Sequence, residues 1–386
     1  MISYGKQFID NDDIEAVVKV MKGDWLTQGP SVEEFEKNLN SYFGSKYTCA
    51  VSNGTAALHL TGLALGWQPG NIIITTPITF LATANCIVYT GATPDFVDIN
   101  SKTYTLDPDL VEFKIKKYRS EGKIVKAIIG VDFAGHPCDW KSLRKIADKY
   151  DLRLINDNCH ALGSRYNGEK EYALKYADII TQSYHPVKNF TTGEGGAILT
   201  NDANIDKKVR LLRSHGMTKD VKHMKNNDGP WYYEMNYLGF NYRITDFQCA
   251  LGINQLKRLD QFVKRRNQIA RNYDSAFRND ERFITPNVSS QVYHSYHLYP
   301  LQIRFEYLNI DKTELFNKMR EKNINPQVHY IPITKQPFYR ENYPCDESLL
   351  PNAYKFYENM LSMPIYYSLK NDEQEYIINN IKSILE

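Results

Sequence analysis

Charge of one sign is almost missing as an excess: 47 Lys and Arg face 45 Asp and Glu, leaving a formal +2. A dedicated surface for nucleic acid or anionic lipid needs a clustered basic surplus, so neither partner is expected. No apolar run approaches the roughly 18–20 residues that span a bilayer. The opening residues, Met1-Ile-Ser-Tyr-Gly-Lys-Gln7, lack the charged-then-apolar pattern of a secretory signal, so a cytoplasmic protein is expected. The six cysteines form no C-x-x-C pair and no zinc spacing with histidine. They are expected as reduced, mostly buried small hydrophobes, with no metal. Neither G-x-G-x-x-G nor G-x-x-x-x-G-K-[ST] occurs, which speaks against a dinucleotide dehydrogenase or a P-loop enzyme. Internal repeats and low-complexity linkers are also missing.

What is present is ordinary in bulk and ordered in detail. A hydrophobic share of 42% and a charged share of 24% suit a globular protein, and 386 residues exceed one usual core. The 28 tyrosines could stack on sugars, but a general richness in Tyr, Asn, Ile and Lys explains them equally well. Helices are expected at 11–22 and from Ser31, where Ser31-Val-Glu-Glu34 reads as a capping box and Gly44 as the stop. Strands are expected at 48–52, 72–75, 95–98, 126–131, 152–156, 178–182 and 196–200, with helical patterns such as 55–64 and 140–149 between them. This alternation predicts an α/β domain with a mostly parallel seven-stranded sheet, covered on both faces. Its ligand belongs beyond the carboxyl ends of the strands. One long helix is expected over 245–277, followed by a strand at 297–305, a helix at 311–322, a strand at 327–332 and a closing helix at 372–385. The domains are therefore 1–250, large and α/β, and 251–386, the linking helix with a smaller α+β unit.

Three features follow three strands of the sheet. Ser52-Asn-Gly-Thr55-Ala56 leads from a strand into an apolar helix, and so offers free N–H groups to a phosphate, or merely caps a helix. Asp157 ends a central strand, where an acid is either a cap or the holder of a proton on a ring nitrogen. Lys188 sits in "SYHPVKNFTTGEGG" (183–196), between a His-Pro turn and a glycine run. An anion cradle, a buried acid and an amine able to form a Schiff base are what pyridoxal 5'-phosphate requires.

At these residues the chain resembles the DegT-type sugar-nucleotide aminotransferases of pyridoxal-phosphate fold type I. The likeness runs through "WLTQG" (25–29), "SNGTAALHL" (52–60), "TTPITFLATAN" (75–85), "NDNCHALGS" (156–164), "LLRSHGMTKD" (211–220), "LGFNYRITDFQCALGINQL" (238–256), "HLYP" (297–300) and "QVHYIP" (327–332). It implies that Lys188 bears the Schiff base and shuttles protons, that Asp157 pairs with the pyridine nitrogen, and that His160 and Phe80 pack against the ring. Thr55, Ala56 and Ser183 would hold the phosphate. A homodimer with shared sites is implied, in which Asn241 or Arg243 reaches the neighbour's phosphate. Tyr4, Leu26, Thr27, Gln28, His185, His329 and Tyr330 are implied around the substrate.

Related sugar dehydratases carry His at the lysine position, so Lys188 implies transamination, with glutamate as donor and a nucleotide sugar as acceptor. The "TTGEGG" tail resembles enzymes acting at C4, and the nearest branch aminates a UDP-linked 4-keto-6-deoxy-N-acetylhexosamine on the way to pseudaminic acid. Rival readings are a GDP-perosamine-type synthase and a fold kept as a non-catalytic sensor. Asn156, Asn158, Cys159 and Gln182 depart from the residues usual in the family.

Overall fold

The computed structural model describes all residues, Met1–Glu386. Seven strands form the main sheet: β1 (Tyr47–Val51), β2 (Asn71–Thr75), β3 (Thr93–Phe96), β4 (Ile124–Val131), β5 (Arg153–Asp157), β6 (Ile179–Ser183) and β7 (Gly196–Thr200). Each lies within about two residues of its expected position. Their spatial order is β1-β7-β6-β5-β4-β2-β3, parallel throughout except that β7 runs antiparallel to both its neighbours.

Alternation along each strand divides the sheet's side chains between two cores. Ile74, Ile128, Leu154, Ile180 and Leu199 join the cluster containing Phe35, Trp140 and Tyr184. Ile73, Ile129, Ile155, Ile179 and Ile198 face the other way, onto Leu58, Leu60, Cys86 and Ile87. That second face is covered by α3 (Gly54–Ala64) and α4 (Leu81–Val88). Ahead of them come α1 (Asn11–Met21) and α2 (Pro30–Phe43).

Two helix boundaries differ from expectation. The 31–34 capping box does not form; α2 begins at Pro30 with Gly29 as its cap residue and no side-chain cap of its own. Instead the buried carboxylate of Asp246 accepts the N–H groups of Gly29 and Ser31, at 2.8 and 3.0 Å. A distant acid has replaced the local one. The expected single helix over 245–277 is two, α5 (Asp246–Leu256) and α6 (Leu259–Phe277). At the break Arg258 leaves helical geometry (φ −106°, ψ 3°), and its guanidinium pairs with Asp10 and Asp13 at the start of α1.

Beyond α6 a three-stranded sheet pairs Tyr299–Ile303 with Phe283–Ile284 and Met360–Met363. It has its own core of residues from α6 onward, among them Tyr273, Leu301, Met319 and Ile377. The segment 327–332 is not a strand: its one backbone bridge to the sheet is Gln327 with Ser362, whose hydroxyl also meets His329 Nδ1 at 2.9 Å. It runs instead to the carboxyl ends of β5 and β6. The N-terminus crosses over as well, with Ile2–Ser3 pairing with Ile324–Asn325.

Candidate active site

At the carboxyl edge of the main sheet lies a cavity of about 760 Å³. Its walls come from the start of α3, the start of α4, the ends of β5 and β6, the 183–194 loop and residues 329–330. That volume is within the range of small-molecule sites.

At one end is the start of α3. Asn53 caps it by accepting the Ala56 N–H at 2.8 Å, which occupies one of the groups expected to face a phosphate. Thr55 and Ser183 line the cavity beside it. The backbone there is packed to the limit. A Cβ on Gly54 would meet the Ser183 Cβ at 2.8 Å, and one on Gly196 would meet the Asn53 carbonyl oxygen at 2.6 Å. Glycine is thus required for α3 to start this close to β6 and β7. A helix N-terminus with hydroxyls alongside suits an anion.

Deeper in, Asp157 is 4% exposed. Its Oδ2 accepts from Thr83 Oγ1 at 2.7 Å and its Oδ1 from the Cys159 N–H at 3.2 Å. Thr83 is in turn 2.8 Å from the hydroxyl of Thr79. Lys188 lines the same cavity. Burial lowers its ammonium's proton affinity, while Cys159 and Asp157 pull the other way. A lysine made easier to deprotonate is a better nucleophile and base.

His160 is buried and receives the Ala134 N–H on Nδ1 at 3.3 Å. The proton therefore belongs on Nε2, which donates to Tyr330 Oη at 3.0 Å. Burial first, then Lys188 and His329, push this imidazole well below the usual range, so it is neutral. Tyr330 stacks on His160 at 5.9 Å and lies 5.9 Å from Phe80. The two expected ring-packing residues thus flank the same tyrosine.

Of the expected residues, Tyr4, Thr55, Ala56, Phe80, Asp157, His160, Ser183, His185, Lys188, His329 and Tyr330 converge here. Leu26, Thr27, Gln28, Asn241 and Arg243 are not part of this cavity's lining. Leu26 accepts the Asp246 N–H, Thr27 bridges Thr245, and Asn241 bridges Ser214. Thr79, Thr83, Glu194, Tyr242 and His297 also line the cavity without having been assigned a role from sequence. For Thr79 and Thr83 a signal existed, two hydroxyls at helical i, i+4 spacing. His297 is 4% exposed, and its buried Nδ1 has no partner in the protein.

The residues fit pyridoxal phosphate. The tight start of α3 with Thr55 and Ser183 would hold its phosphate, Asp157 its ring nitrogen, and Lys188 its aldehyde carbon.

Comparison with known proteins agrees with this geometry. The chain is 39% identical over 386 residues to the UDP-4-amino-4,6-dideoxy-N-acetyl-beta-L-altrosamine transaminase of Campylobacter jejuni serotype O:23/36, covering all of this chain and 98% of that one. Among solved structures, Helicobacter pylori PseC, an aminotransferase of pseudaminic acid biosynthesis, matches with a TM-score of 0.89 at 31% identity, covering 100% and 99% of the two chains. The PMP form of the putative sugar aminotransferase Spr1654 of Streptococcus pneumoniae matches with 0.89 at 30%, covering 100% and 99%. The fold is therefore that of the type I pyridoxal-phosphate aminotransferases, with pyridoxal phosphate as cofactor. Residues 7–382 match the DegT/DnrJ/EryC1/StrS aminotransferase family, and to that family the chain belongs.

Proposed function

We propose that this enzyme moves the amino group of glutamate to the C4 ketone of a UDP-linked 4-keto-6-deoxy-N-acetylhexosamine, working as a homodimer with shared active sites. The observation that carries the reading is the convergence of Lys188, Asp157 and the start of α3 in one cavity. The substrate class follows from likeness to the Campylobacter transaminase over the whole chain.

Bound pyridoxal phosphate supplies an electron sink, and the residues of this chain supply the rest. Asp157, held by Thr83 and the Cys159 N–H, would pair with the ring nitrogen and hold its proton. Lys188 would hold the cofactor's aldehyde carbon and, when free, take up and return a proton on its Nζ. Neutral His160 lines the same cavity without adding charge.

The cavity of one protomer holds a single cationic side chain, Lys188. A phosphate, a nucleotide diphosphate and a dicarboxylate together call for more, which supports delivery of Arg243 or Asn241 by a second subunit. An apolar arm agrees with this: Val221, Trp231, Met235 and Leu238 are 66%, 73%, 63% and 81% exposed.

The test is to incubate the enzyme with glutamate and a panel of UDP- and GDP-linked 4-keto-6-deoxy sugars, and to locate the new amine by NMR. Amination at C4 of the UDP-N-acetylhexosamine is expected. Turnover of GDP sugars alone would transfer the assignment to a perosamine-type synthase.

A further inference from the structure

We propose that Asp132 is a positioning residue for the active site, acting through Asn156 and Asn158 on the strand end that carries Asp157. The inference rests on reading Asp157 as the partner of the cofactor's ring nitrogen.

Asp132 follows β4, is 0% exposed and forms no ion pair. Five donors converge on it. Oδ1 accepts the Cys138 N–H at 2.8 Å and Trp140 Nε1 at 2.9 Å. Oδ2 accepts Asn156 Nδ2 and Asn158 Nδ2, each at 3.1 Å, and Tyr172 Oη at 2.7 Å. The chain extends to the next strand, where Asn158 Oδ1 accepts from Gln182 at 3.3 Å and Gln182 accepts from Tyr184 at 2.8 Å.

Alternation puts this network on the far side of the sheet from the cavity. Ile155 packs in the α3–α4 core, as Asp157 faces that side, whereas Leu154 packs in the opposite core, the side of Asn156 and Asn158. The two asparagines bracket Asp157 in sequence and clamp its strand end from behind. Asp132 also reaches Asp157 through the backbone, its N–H donating to the Asp157 carbonyl at 3.2 Å. Burying a carboxylate without a cation is costly. All five donors reach Asp132, although the Asn156 Oδ1 is left without a partner, and a buried network of this kind rigidifies what it is attached to. Here that is the ends of β5 and β6, which carry Asp157 and Ser183. Asn156, Asn158 and Gln182 are thus parts of one device.

The experiment uses holoenzyme carrying Asp132→Asn, whose amide cannot accept from both sets of donors. The cofactor's visible circular dichroism, which reports ring orientation, and kcat and KM are measured, with Ile115→Ala in a remote helix as the stability control. The expected result is retained cofactor, an altered visible dichroism, and kcat lower by about tenfold to a hundredfold at unchanged KM, while Ile115→Ala keeps wild-type dichroism and kcat. Should Asp132→Asn fail to fold, Asn158→Ala is measured in the same way. A folded variant of either kind with wild-type kcat and dichroism, differing only in melting temperature, overturns the proposal. Asp157→Asn run in parallel separates the two readings. If it keeps full activity, the role of Asp157 falls; if it alone loses activity, only that of Asp132 does.

Discussion

Two hydrogen bonds hold Asp157 in place for its work at the cavity. Thr83 Oγ1 takes Oδ2 and the Cys159 N–H takes Oδ1, so the carboxylate is fixed before any ligand arrives. Replacing it by an amide keeps the shape and removes the charge that, on the proposed reading, would hold a ring proton. Asp157→Asn is expected to lower kcat by roughly 10²-fold, about 3 kcal/mol, the usual scale for losing an electrostatic stabiliser. Thr83→Val should act through the same oxygen and cost less, about 1–2 kcal/mol, because only one neutral donor is lost. Steady-state rates with glutamate as donor check both, and a silent Asp157→Asn would leave this acid as a helix-start cap. Lys188 and Asp157 were legible in the sequence because each ends or follows an apolar strand. Glu194, Tyr242 and His297 were not, since they come from three separate segments that only the closed sheet brings together. Asn156 and Asn158, on either side of Asp157, have a partner 24 and 26 residues away in Asp132.

The seven strands were readable for a physical reason: strands buried on both faces become short apolar runs, and those runs survive without any knowledge of their neighbours. Helix ends were less so. Ser31-Val-Glu-Glu34 has the local chemistry of a capping box, yet Asp246 at the start of α5 supplies the acceptors. The segment 327–332 has the apolar content of a strand, but the small sheet already pairs Tyr299–Ile303 on both sides, so it runs on to the cavity. The cap exchange predicts an inversion of what the sequence suggests. Asp246→Ala should destabilise by about 1–2 kcal/mol, since two N–H groups of α2 lose their acceptor. Ser31→Ala should change stability by less than about 0.5 kcal/mol. Urea unfolding of the two variants checks this, and an equal loss in both would restore the local box.

At the scale of the whole molecule, six of the nine histidines are buried: His59, His136, His160, His294, His297 and His329. Burial holds each below the usual 6.5, His136 at about 4 and His329 at about 3. Above pH 6.5 both folded and unfolded forms are neutral, and the fold keeps its full stability. As pH falls from 6.5 toward those lower values, only the unfolded chain takes up protons, so stability declines. Asp132, raised to about 6 by burial, works in the opposite direction, as do Asp98 and Asp274, three acids against six imidazoles. Melting temperature should therefore drop between pH 6.5 and 4.5, and a flat profile would mean the imidazoles bind protons in the fold. Assembly gives the second test at this scale. Asn241 and Arg243 lie outside their own protomer's cavity, and the exposed arm around Trp231 and Leu238 suits an obligate interface, on the order of 2,000 Å² or more. Two-fold symmetry would then place each pair at the partner's site. Lys188→Ala subunits lack the amine but carry an intact Asn241 and Arg243; subunits with Asn241→Ala and Arg243→Ala have the reverse defect. A mixed dimer regenerates one complete site, and activity after verified subunit exchange should exceed that of either parent. A mixture no more active than its parents would mean that each chain builds its pocket alone.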